Sequence, residues 1–69
     1  MKAHNLNDVR AILEKYYIDA VTLDGINPPK YRERQHIIWA IAEEVFGEEW
    51  ASEMTGYVRK NYREGKYDE

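Results

Sequence analysis

The chain has 69 residues, ten Lys and Arg against 13 Asp and Glu, a formal charge of −3, and no cysteine. That leaves room for one domain with a small core, and it excludes a disulfide framework and thiolate metal sites. The acidic balance also opposes nonspecific nucleic-acid binding, whose affinity comes from neutralising phosphates.

The first predicted helix runs from about residue 6 to 20, with Asn5 or Asn7 as its cap and Asp8 in the first turn, where the helix dipole favours an anion. Leu6, Val9, Leu13, Tyr16, Tyr17 and Ala20 share one arc of the wheel with Ile12 at its edge, whereas Ile18 falls off that arc. The connection that follows, VTLDGIN, carries an Asp24–Gly25 turn signal, and Val21, Leu23 and Ile26 would let it lie against the core.

The central segment, NPPKYRERQHIIWAIAEEVFG, predicts a helix over 28–46 with Asn27 as cap, Pro28 at the first helical position and Gly47 as terminator. Tyr31, Ile38, Ala42 and Val45 form one line flanked by Ile37, Trp39, Ile41 and Phe46. That arc covers about half the circumference, wide enough for a helix gripped from two sides.

The third helix is expected over 48–64, with Glu48 and Glu49 at its positive end, Arg59, Lys60 and Arg63 at the other, and Gly65 stopping it. Its inward arc reads Trp50, Ala51, Met54, Tyr57, Val58, Asn61 and Tyr62, and the last residues, KYDE, read as frayed. Three amphipathic segments with short connections give an all-α fold, a small three-helix bundle in a single domain over 1–69.

Few constellations carry chemistry. Glu33 and His36 make one E-x-x-H on the polar side of the central helix, where a di-iron site would need a second copy and two more carboxylates. His4 lies too near the terminus to serve as a base, Ser52 is the only serine, and the four glycines form no phosphate loop. The expectation is therefore no enzymatic activity, no catalytic residue, no cofactor and no metal.

Ile41 to Lys60 has the outline of a helix-turn-helix, but Glu48, Glu49 and Glu53 would meet the phosphates at the recognition end. Arg59, Lys60, Arg63 and Lys66, interleaved with Tyr57, Tyr62 and Tyr67, are the better nucleic-acid candidate, suited to a single strand. Gly56, inside a helix where it costs about 1 kcal/mol relative to Ala, marks either a break or a place where another backbone comes close.

The longest apolar run, Ile37 to Ala42, falls far below the ~18 residues of a membrane span, and MKAHNLND lacks the apolar segment of a signal peptide. A cytoplasmic protein is expected, without membrane association. Elimination favours a small protein-binding module, such as a regulator, adaptor or inhibitor, with nucleic-acid binding as the alternative. Its partner docks on the outer side of the third helix at Ser52, Gly56, Arg59 and Arg63, or else on the acidic edge of Glu43, Glu44, Glu48, Glu49 and Glu53. Self-association as a homodimer is also open to a chain this short.

Overall fold

Asn5 opens the first helix: its Oδ1 accepts the Asp8 backbone N–H at 2.9 Å, satisfying a donor that has no partner within the helix. The computed structural model describes residues 5–67; His4 and the last two residues of KYDE lie outside them. Helix α1 covers Leu6–Thr22, α2 Pro28–Phe46 and α3 Glu48–Arg63, and each packs against both others. Among the described residues there is no strand, and no helix is long and apolar enough to cross a membrane.

Helix α1 runs two residues past its expected end, so Val21 is helical and buried. The turn that follows is correspondingly short. It leaves Ile26 78% exposed at the tip rather than against the core. Asn27 precedes α2 at the cap position but makes no side-chain cap bond. Pro29 occupies the second helical position and offers no N–H, which leaves only the Lys30 N–H for a cap, and Asn27 does not bond it.

Gly47 alone joins α2 to α3, at φ 96° and ψ 158°. This is not the left-handed helical conformation expected of a terminator but the extended positive-φ region that is almost exclusive to glycine. It lets one residue end α2 by donating to Glu43 O at 2.8 Å and begin α3 by accepting from Ala51 N at 3.1 Å. At this junction Phe46 and Trp50 stand with ring centroids 4.9 Å apart, and the Arg10 guanidinium lies 4.7 Å from the Phe46 centroid. The start of α1 is thereby fastened to the α2–α3 corner by a cation–π contact.

The core is Leu13, Tyr17, Ala20 and Val21 of α1, Ile38 and Ala42 of α2, and Ala51, Met54 and Val58 of α3. Burying a large apolar side chain contributes about 1.5–3 kcal/mol, and alanines at the contact points let the helices approach. The buried arcs are narrower than the wheels suggested. Tyr16 (51%), Ile37 (52%), Ile41 (44%), Val45 (53%), Tyr57 (58%) and Tyr62 (43%) are exposed.

Two polar positions are inside: Thr55, which the wheel left out, and Asn61, which it placed on the inward arc. Thr55 Oγ1 donates to Ala51 O at 2.9 Å, which removes the cost of burying a hydroxyl. Asn61 donates from Nδ2 to Tyr67 Oη at 3.3 Å. That bond, with the backbone bond from Lys66 N to Asn61 O at 3.0 Å, folds Lys66 and Tyr67 back onto the bundle, so the described part of the tail is not frayed. Ile18, placed off the apolar arc by the wheel, is half-buried against the core. Helix α3 continues through Gly56 without a break.

Candidate binding cleft

Tyr17 is 2% exposed, and a buried phenol needs a partner for its hydroxyl. Arg59 supplies it from α3: its Nε donates to Tyr17 Oη at 2.9 Å. The same guanidinium donates from Nη2 to Gln35 Oε1 on α2 at 3.3 Å. Gln35 in turn donates from Nε2 to Ala20 O at 3.0 Å and to Asp24 Oδ1 at 3.4 Å. Asp24 also pairs with Arg32 Nε at 3.4 Å. A chain of polar contacts thus links all three helices and the α1–α2 turn.

The chain floors a cleft of about 820 Å³ at the end of the bundle where α1 ends, α2 begins and α3 ends. Tyr17, Trp39 and Tyr62 provide aromatic surface, and Arg32, Arg59, Arg63 and His36 provide nitrogen donors, with Asp24 the one carboxylate. Three guanidinium groups around one acid make this a local cationic site on a protein whose formal charge is −3. The volume lies within the ~300–1,000 Å³ typical of ligand sites.

The two ends of the polar chain differ in weight. Arg32 and Asp24 have side chains 69% and 27% exposed, so their pair is a surface ion pair that adds little stability. Arg59 is held by a buried acceptor and a second helix, which limits its rotamers in advance. Guanidinium carries five N–H donors; Arg59 spends two on Tyr17 and Gln35, and the others remain available to a planar acid.

The four residues expected as one outer docking face divide. Arg59 and Arg63 line the cleft, whereas Ser52 and Gly56 are exposed on α3 without lining it. A Cβ added at Gly56 would meet nothing within 4 Å. Glu43, Glu44, Glu48, Glu49 and Glu53 are all exposed and lie outside the cleft. Glu33 is exposed and His36 lines the cleft; among the described residues no three His, Cys, Asp or Glu side chains gather as a metal would require.

The basic and tyrosine-rich residues from Tyr57 to Tyr67 do not line one continuous surface. Arg59, Tyr62 and Arg63 face the cleft, Tyr57 is exposed outside it, and Lys66 pairs with Glu64 at 3.3 Å. The one-residue junction at Gly47 is also shorter than the three- or four-residue turn of a helix-turn-helix. Among the lining residues, Arg32 and Gln35 were not singled out by the sequence, and Asp24 and Trp39 were read only as a turn residue and as part of an apolar arc. The signal for them was indirect: a tyrosine on the apolar arc of α1 whose hydroxyl had to find a donor or acceptor.

Comparison of the chain with protein-family models, curated proteins and solved structures finds no match in any of the three.

Proposed function

We propose that this protein is a non-enzymatic, cytoplasmic binding module that takes an acidic segment of a protein partner into the cleft. The observation that carries the reading is the convergence of Arg32, Arg59 and Arg63 beside Trp39 and Tyr62. Guanidinium pairs with carboxylate in a planar, bidentate manner, and an aromatic wall accepts the apolar residue beside the acid. Arg, Tyr and Trp are also the residue types that dominate binding energy at protein interfaces.

A nucleic-acid strand is the second reading, because cations next to aromatic rings also suit a stacked base. Local charge favours the acidic peptide. A strand needs cations along several phosphates, whereas this cluster is confined to one cleft and bordered by Asp24. The test is selection from a displayed library of random peptides, with mixed-sequence single-stranded oligonucleotides assayed alongside by fluorescence anisotropy. Enriched peptides should carry Asp or Glu next to an apolar residue and lose at least about tenfold in affinity against Arg63→Gln, but not against Glu49→Gln. Peptides without acidic residues, or tighter binding of the oligonucleotides, would overturn the reading.

A further inference from the structure

We infer that α2 carries a self-association seam on which a second copy of this chain packs antiparallel. The inference is independent of the cleft. Lys30, Arg34, Ile37, Ile41 and Glu44 follow one another at spacings of four, three, four and three residues, the alternation that keeps side chains on one strip of a helix. With Val45 they span about 100° of arc, centred roughly a quarter-turn from the Ile38–Ala42 line that faces the core. Ile37, Ile41 and Val45 are 52%, 44% and 53% exposed, so about half of the surface at the apolar centre of this strip is left open by the described residues.

The charges on the strip select the occupant. An antiparallel pair with its two-fold axis at residue 39 sets Ile37 against the other copy's Ile41, and Arg34 against its Glu44, each contact occurring twice. Lys30, one turn farther out, reaches the α2–α3 junction, where Glu48 follows Gly47. A parallel pairing would instead oppose Arg34 to Arg34 and Glu44 to Glu44, so the strip specifies both partner and orientation.

A second feature of α2 agrees. The helix has no acidic residue in its first turn and no basic residue in its last. Lys30, Arg32 and Arg34 outnumber Glu33 toward its positive end, with Glu43 and Glu44 toward its negative end, a net balance opposite to what the helix dipole favours. Arg32 is explained by Asp24, and Lys30 and Arg34 rest over the Tyr31 ring at 5.4 and 5.3 Å from its centroid. An arrangement unfavourable to an isolated helix becomes complementary when an antiparallel copy brings its acidic end to the basic one. One helix per copy makes a small interface, so association belongs in the micromolar range or weaker.

Sedimentation of the full chain from about 1 µM to about 1 mM tests this, with helicity checked by circular dichroism for every variant. The parent should pass from the 8.2 kDa species to twice that mass. Arg34→Glu and Glu44→Arg should each raise the dissociation constant at least about tenfold, because each opposes like charges twice. Mixing these two variants should restore a heterodimer, and the double variant should restore the homodimer. A parent that stays monomeric throughout, single variants that dimerise like the parent, or helical variants whose combination restores nothing would each overturn the inference.

Discussion

Arg59 Nε lies 2.9 Å from the hydroxyl of Tyr17, a residue 42 positions earlier in the chain and buried to 2% exposure. One hydrogen bond therefore satisfies a core phenol and orients a guanidinium at the mouth of the cleft. Tyr17→Phe keeps the ring and removes the acceptor. The loss should cost about 0.5–1.5 kcal/mol, because Arg59 is exposed and can turn to water. An unchanged midpoint of chemical denaturation would mean that this bond contributes nothing in solution.

Gly56 and Gly47 make opposite predictions from the same substitution. Gly56→Ala adds helix propensity where a Cβ meets nothing within 4 Å, and should stabilise the protein by about 1 kcal/mol. Gly47→Ala also meets nothing within 4 Å, yet forces an L side chain to φ 96° and should destabilise by about 1–3 kcal/mol. Thermal melts of the two variants should move in opposite directions; a shift of the same sign in both would contradict the geometry at one of the two glycines.

The orientation of α2 is checked by a pair of truncations. Ile38 is 6% exposed, so Ile38→Ala should cost about 2–5 kcal/mol. Ile26, 78% exposed at the turn before α2, should tolerate the same change within about 0.5 kcal/mol. Equal losses, measured in urea, would place the turn against the core after all.

The helices were legible because their ends are marked by residues with local reasons to be there: Asn5 bonds the first turn, Pro28 suits a helix start, and Gly47 reaches a conformation closed to other residues. Which way each helix faces was less legible. A wheel locates an apolar arc, but the neighbours decide how much of it they cover, and in this bundle Ile37, Ile41, Val45 and Tyr57 fall beyond their reach. The same limit hid most of the cleft. Arg59 and Arg63 were named from α3 alone, while Arg32 and Gln35 join them only because the N-terminal part of α2 lies beside the C-terminal parts of α1 and α3. Thr55 went unrecognised because its burial depends on a bond to its own helix, a feature that hydropathy does not register.

The central claim, that the arginine cleft is the binding surface, is tested most directly by nuclear magnetic resonance of the side-chain N–H groups during titration with a selected acidic peptide. The Nε–H signals of Arg59, Arg32 and Arg63 and the indole N–H of Trp39 should shift together and saturate, while Arg10, at the opposite end of the bundle against Phe46 and Trp50, should stay in place. Saturating shifts at Arg10 and Trp50, or along the Glu43 to Glu53 edge, with the cleft signals unmoved, would contradict the account.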